Sequence, residues 1–218
     1  MGIGTGFLDA GPMIAFRAAQ IKGAGLLNGF RLAGLVLAAG RASRMGSDKR
    51  LLRVGGRSML ELAVAAALDG GLSPVLVVTG PEPQPGLPPG VLHVVNPDPG
   101  RGMASSLAAG VAALPPFADG VAVLLADMPR VGAAQVAALA AAFRAGGICI
   151  PVAGGRRGNP VVLARSFFAG LAALTGDKGA RGLIAQHEDS VIEVPMPDDA
   201  VLIDVDTPEA LRELGEEG

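Results

Sequence analysis

The stretch richest in usable chemistry runs Leu35-Val36-Leu37-Ala38-Ala39-Gly40-Arg41-Ala42-Ser43-Arg44-Met45-Gly46-Ser47-Asp48-Lys49. An apolar run passes into small residues, then into a loop of glycines and cations that closes on a lysine. A buried strand ending this way can deliver backbone N–H groups and positive charge to the phosphates of a nucleoside triphosphate. Gly40 and Gly46 let the backbone turn and approach a ligand closely. Successive exposed N–H groups make an anion-binding concavity. Arg44 adds a planar fork of donors and Lys49 a mobile point charge. The alternative is an ordinary glycine-rich turn. The loop is not a Walker A sequence, because five residues separate Gly40 from Gly46 and no Gly-Lys-Ser/Thr follows. Gly23-Ala24-Gly25 is no dinucleotide fingerprint either, since Asn28 stands where the third glycine belongs.

Five further loops carry candidate groups. In Asn96-Pro97-Asp98-Pro99-Gly100-Arg101-Gly102-Met103-Ala104-Ser105-Ser106-Leu107 the glycines lead into a helix with Ser105 and Ser106 in its first turn. Such a start suits a phosphate or a base edge, or the serines simply cap the helix. Asp127-Met128-Pro129 follows an apolar run, and a carboxylate there can hold Mg²⁺ against phosphates; the alternative is a turn or capping residue. Gly154-Gly155-Arg156-Arg157-Gly158-Asn159-Pro160 is either a hairpin tip or a clamp for a second anionic substrate. Thr175-Gly176-Asp177-Lys178-Gly179-Ala180-Arg181 places two cations at an expected helix start, against the macrodipole, which points to an anion partner; Asp177 as a cap is the plainer reading. In Asp204-Val205-Asp206-Thr207-Pro208, Asp206 could join Asp127 around one metal ion, or serve only capping and solvation.

These loops need a frame. Apolar runs at 32–38, 75–79, 91–95, 121–126, 148–152, 161–163, 191–194 and 201–205 read as strands. Stretches at 59–69, 104–114, 133–145, 166–174, 179–187 and 208–214 read as helices. Continuous apolar runs imply strands covered on both faces. Their alternation with helices implies an α/β architecture around a largely parallel sheet. In such sheets ligands bind beyond the carboxyl ends of the strands, which is where these loops fall.

A chain of 218 residues fits one domain. Residues 1–30 read as an N-terminal extension without signal-peptide character, and 31–218 as a single domain. A net charge of −2 gives no basic face for nucleic acid or an anionic membrane, and no apolar run reaches the roughly 20 residues that span a bilayer. The lone Cys149 excludes an intrachain disulfide and a multi-cysteine zinc site. It fits a cytoplasmic protein and reads as buried core. His93 and His187, the two histidines, fall in none of the motifs.

Taken together the motifs resemble the nucleotidyltransferase family that includes the molybdenum cofactor cytidylyltransferases. The resemblance spans residues 32–214 and rests on Leu37-Ala38-Ala39-Gly40 with Ser43-Arg44-Met45-Gly46 and Lys49, on Gly102-Met103 with Ser105-Ser106-Leu107, and on Asp127-Met128-Pro129, Gly158-Asn159-Pro160, Gly176-Asp177-Lys178-Gly179-Ala180-Arg181 and Asp204-Val205-Asp206-Thr207-Pro208. It implies a three-layer, Rossmann-like nucleotidyltransferase fold and Mg²⁺-dependent nucleotidyl transfer with pyrophosphate leaving. Related guanylyltransferases carry Leu-Ala-Gly-Gly in the first motif, where this chain has Ala39, and tend to have asparagines where it has Asp204 and Asp206. Asn159 stands where many cytidylyl members have histidine.

On this resemblance CTP is the donor and molybdenum-molybdopterin the acceptor. Leu37, Ala38, Ala39 and Ser106 would read the cytosine. Gly40, Arg44 and Lys49 would hold the triphosphate, and Arg44, Lys49 and Asp127 would carry the catalysis. Asp127 and Asp206 would hold Mg²⁺, and Arg157, Asn159, Lys178 and Arg181 would bind the acceptor. The competing readings are a cytidylyl- or uridylyltransferase for another phosphorylated small molecule, and a non-catalytic carrier that hands the cofactor to an apo-molybdenum hydroxylase.

Overall fold

The computed structural model describes residues 26–39, 52–81, 87–177 and 179–205. The expected extension 1–30 lies largely outside the described residues, as do the expected helix 208–214, Gly40, Arg44, Lys49, Lys178 and Asp206.

The sheet is formed by β1 (Leu32–Leu37), β4 (Val75–Thr79), β5 (Val91–Val95), β6 (Gly120–Leu125), β7 (Ile148–Ala153), β9 (Val161–Ala164) and β10 (Val191–Pro195), with β8 (Arg156–Arg157) attached to β7. The order across it is β10-β7-β9-β6-β1-β4-β5. The β1–β4, β1–β6, β4–β5 and β7–β10 pairs are parallel, and β9 runs antiparallel between β6 and β7. All six residues of β1 are buried, as expected of a central strand covered on both faces. Side chains alternate between those faces. At Gly34 the sheet meets Ala67 and Leu72, while Leu35 points the other way, toward Gly110.

Helix α1 (Met59–Asp69) and helix α3 (Ala133–Ala142) pack together on the first face, and α2 (Met103–Ala112) and α4 (Phe168–Ala172) on the second, which makes the three layers. A Cβ at Gly110 would collide with Leu35, so glycine is what lets α2 lie close to β1. Helix α1 opens with a capping box: Glu61 N–H donates to the Ser58 hydroxyl and Ser58 N–H to the Glu61 carboxylate.

Several elements depart from the sequence expectation. The apolar run 201–205 is not a strand. It begins with a 3-10 turn, Ala200–Leu202, and the Val201 carbonyl accepts from Asn159 N–H instead of joining a ladder. The expected helix 166–174 divides into a 3-10 turn, Arg165–Phe167, and α4. The expected helix 179–187 becomes α5 (Arg181–Gln186), because Gly179 has φ +56° and cannot be a helical residue. Helix α3 stops before Phe143, whose extended backbone turns its ring into the core and edge-on to Phe30. A small hairpin that the strand reading omitted, β2 (Arg53–Val54) with β3 (Arg57–Ser58), turns on Gly55 and Gly56, both at positive φ.

Candidate active site

Beyond the carboxyl ends of β1 and β6 lie two adjoining clefts, of about 440 and about 410 Å³. The first is lined by Leu37 and Ala39 from the end of β1, Leu125 and Asp127 from the end of β6, Ser106 on α2 and the loop Pro99–Gly102. The second is lined by Arg157 in β8 and Asn159 after it, Asp177, and Arg181 and Glu188 in and after α5. Met103, Leu125 and Asp177 line both, so the clefts share a wall.

Hydrogen bonds explain why these groups sit where they do. Ala38, buried between Leu37 and Ala39, donates its N–H to the Val78 carbonyl, and Ala126 N–H donates to the Leu37 carbonyl. These bonds hold the end of β1 beside β4 on one side and β6 on the other. Asp127 follows within the turn that leaves β6; it is half-buried, and its Oδ1 is screened from solvent. Its carbonyl accepts from Val205 N–H at 2.8 Å. The described chain therefore returns to Asp127 at the residue just before Asp206.

The two loops that face each other across the shared wall are in close contact. Gly102 has φ +91°, and a Cβ there would strike the Asp177 carboxylate and the Gly176 carbonyl. Ala104 N–H donates to that carbonyl at 3.0 Å. Only glycine allows both the backbone conformation and the approach. The serine-capping alternative for this helix does not hold: Gly102 is the N-cap residue, with no side-chain cap. Ser105 donates its hydroxyl to the Gly102 carbonyl at 2.8 Å, and Asn96 Nδ2 donates to the hydroxyls of Ser105 and Ser106 at 2.8 and 3.0 Å.

Charge is arranged differently in the second cleft. The Arg157 guanidinium makes a two-pronged pair with the Glu188 carboxylate, at 2.8 and 3.0 Å, and its Nε donates to Glu193 at 2.8 Å. The bonds from Arg157 hold the Glu188 carboxyl below the usual range, and those to Glu188 and then Glu193 raise the arginine further above its own. Arg156 and Arg157 form a short strand after the Gly154-Gly155 turn, so the hairpin reading of this loop is correct, while Arg157 also faces the cleft. Among the described residues Arg181 has no carboxylate partner.

Of the candidates named from sequence, Leu37, Ala39, Ser106 and Asp127 come together in the first cleft. Arg157, Asn159 and Arg181 come together in the second. Neither histidine lines a cleft: His93 Nε2 is 2.7 Å from the Thr79 hydroxyl, and His187 packs edge-on to Phe167. Sequence reasoning gave no site role to Met103, Asp177, Glu188 or Asn96. The motifs hold a signal for Asp177, which adjoins Lys178, and for Met103, which stands in one motif with Ser106. Glu188 shows none, because its partner is 31 residues away.

The Asp127 carboxylate is a hard oxygen donor set among groups suited to a nucleotide, which fits a divalent cation. Among the described residues there is no cluster of three or more His, Cys, Asp or Glu that could hold a metal alone. Substrate oxygens and Asp206, outside the described residues, would have to complete such a shell. No described helix is long and apolar enough to cross a membrane.

Comparison with known proteins agrees with this fold. The sequence model of the MobA-like NTP transferase domain matches residues 34–191. The chain is 32% identical to nicotine blue oxidoreductase of Paenarthrobacter nicotinovorans, over 83% of this chain and 95% of that one. It is 31% identical to the purine catabolism protein PucB of Bacillus subtilis, over 82% and 93%. A probable molybdenum cofactor guanylyltransferase of Opitutus terrae matches at 37% identity over 55% of this chain and 59% of its own. Among solved structures, the homologue of Mycobacterium tuberculosis Rv0371c from Mycobacterium sp. strain JC1 superposes with a TM-score of 0.76 at 31% identity, covering 86% of this chain and 96% of that one. Rv0371c of M. tuberculosis H37Rv, solved as a complex with manganese, gives 0.73 at 28% identity, covering 86% and 100%.

Proposed function

We propose that this chain, which belongs to the MobA-like NTP transferase family and is a nucleotidyltransferase, moves CMP from CTP to the terminal phosphate of molybdenum-molybdopterin. The products are the cytosine dinucleotide form of the cofactor and pyrophosphate. The observation that carries this reading is the pair of clefts with one shared wall, a nucleotide-sized space at the strand ends beside a second space lined by cations. The choice of CTP rests on the resemblance of Ala39, Asp204 and Asp206 to the cytidylyl branch. The choice of a molybdenum pterin rests on that resemblance and on the Opitutus relative.

The chemistry asks little of the side chains beyond position and charge. A phosphate monoester has a second pKa of about 6, so at neutral pH the acceptor is already a dianion and needs no general base. That suits clefts without histidine. An oxygen of the acceptor phosphate bonds to the α-phosphorus of CTP. The bond from that phosphorus to the α,β-bridging oxygen breaks, and its electron pair leaves with pyrophosphate. Leu37, Ala39 and Ser106 hold the base, and Gly40, Arg44 and Lys49 the triphosphate. Asn159, Lys178 and Arg181 bind the acceptor phosphate. Arg157 contributes less, since two carboxylates already engage it. Asp127 with Asp206 would hold Mg²⁺, which when bound supplies neutralising charge on the phosphates. The manganese complex of Rv0371c supports a divalent ion in the family. The reaction belongs in the cytoplasm, and an apo-molybdenum hydroxylase is the expected recipient of the product.

The test is pyrophosphate release with Mg²⁺ and CTP, GTP, UTP or ATP, each with and without molybdenum-loaded molybdopterin. Release confined to CTP with the pterin is expected. Release with another phosphorylated acceptor would move the protein to a different cytidylyltransferase reaction. Tight pterin binding without release would make it a carrier. The Paenarthrobacter relative is named for an oxidoreduction, and redox turnover without pyrophosphate would favour that chemistry instead.

A further inference from the structure

Asn96, which ends the chain's run out of β5, is 3% exposed and fully engaged. Its Oδ1 accepts from Asp98 N–H at 3.1 Å. That bond fixes which end of the amide is oxygen, so both Nδ2 hydrogens face the serines of α2. The two hydroxyls then differ in what becomes of their own protons. Ser105 donates to the carbonyls of Gly102 and Asp98, at 2.8 and 3.2 Å, and is satisfied both as donor and as acceptor. Ser106 accepts from Asn96, and none of the described hydrogen bonds takes its proton. It is 5% exposed and lines the first cleft.

Resting on the nucleotide reading of that cleft, we propose that Asn96 is a positioning residue that keeps the Ser106 hydroxyl proton turned toward the nucleobase. A serine hydroxyl alone can donate or accept. With Asn96 donating to it, this one cannot turn its proton inward, so the proton stays available to a ligand in the cleft. A carbonyl oxygen or an unprotonated ring nitrogen of the base can accept that proton. Cytosine offers adjacent acceptors at O2 and N3.

The experiment is calorimetric titration of CTP with Mg²⁺, and separately of inorganic triphosphate, into the full chain. The proteins are the wild type, S106A, Asn96→Asp and the double variant. Asn96→Asp keeps the acceptor for Asp98 N–H but replaces the amide donor with a carboxylate, so the Ser106 proton turns inward. CTP affinity is expected to fall about tenfold in S106A and in Asn96→Asp, the loss of one buried hydrogen bond. The double variant should bind no more weakly than S106A, and triphosphate affinity should not change. Asn96→Ala, which frees the hydroxyl to rotate, should give a smaller loss that also vanishes in the S106A background; it serves if the aspartate does not fold. Wild-type affinity in both Asn96 variants would overturn the proposal. So would an Asn96 effect that adds undiminished to S106A, or a parallel fall in triphosphate affinity. If CTP binding shows the expected pattern and no nucleotide yields pyrophosphate, the transfer reading fails and the role of Asn96 stands. A wild type that binds no nucleotide overturns both.

Discussion

The two clefts share a wall but are built differently. The first is an extension of the core. Its residues Leu37, Ala39 and Ser106 are themselves buried; Leu37 is fixed by backbone bonds of the central strands and Ser106 by Asn96. The second rests on core residues too, Leu107, Val123, Ile150 and Val161, but its rim is a two-residue strand, a short helix and exposed charged side chains such as Arg157, Arg181 and Glu188. Its electrostatics are set by ion pairs between surface groups and not by burial. The buried apolar lining of the first cleft cannot be altered without disturbing the sheet, whereas the exposed rim of the second can change at little structural cost. The difference suggests a division of labour, with the common nucleotidyl chemistry in the rigid cleft and acceptor choice in the adjustable one.

Substitutions can break or sharpen that contrast. Asp127→Ala strikes the rigid cleft at its charge centre and should lower turnover by about three orders of magnitude while the thermal midpoint hardly moves; wild-type-like pyrophosphate release would remove Asp127 from the metal and catalytic role. Gly102→Ala forces a side chain against Asp177 and Gly176 and should impair the use of both substrates, because it displaces their common wall. In steady-state assays both KM values should rise; a rise in only one would show that the loops move independently. Arg181→Ala should raise the acceptor KM about tenfold and leave that of CTP unchanged, as loss of a charge-assisted bond to phosphate requires. Arg157→Ala should do much less, since its charge is already engaged by Glu188 and Glu193. An Arg157 effect equal to that of Arg181 would mean that substrate breaks the ion pairs.

The pH profile separates the clefts from their ligand. The Glu188 carboxyl is held below its ordinary range by Arg157. A lowered carboxylate pKa stabilises the folded state above the unfolded value, and that contribution is lost as pH falls through the folded one. Glu188 is thus ionised throughout pH 5.5–8, and the expected loss of kcat/KM below about pH 6 comes from the acceptor phosphate. The bend should remain in Glu188→Gln. The smallest effect is expected at Cys149. Burial pushes its thiol up to about 11, so a thiol reagent at pH 8 should leave the folded protein unlabelled and active and react fully in denaturant.

What could be read from the sequence follows the same division. The central strands announced themselves as unbroken apolar runs, and Asp127 as a carboxylate closing one of them. The second loop was legible because its glycines precede two serines in a helix start. Reading stopped where meaning depended on partners distant in the chain. The pairing of Arg157 with Glu188 and Glu193 joins two surface segments with no shared pattern. The role of Asn96 depends on which way an amide points, and the backbone N–H of Asp98 decides that. The run 201–205 has the composition of a strand, but its carbonyls and N–H groups are used to tie Asn159 and Asp127 together at the site. Apolar composition predicted burial there correctly at Val201 and Val205, and could not tell a ladder from a tether.

The central claim is that the two clefts hold donor and acceptor of one transfer. The most direct measurement follows a label on the α-phosphate of CTP in the presence of Mg²⁺ and molybdenum-loaded molybdopterin. The account predicts that the label appears in a pterin-containing dinucleotide in step with pyrophosphate. Label found only in CTP or free CMP, with the pterin bound but unmodified, would contradict it.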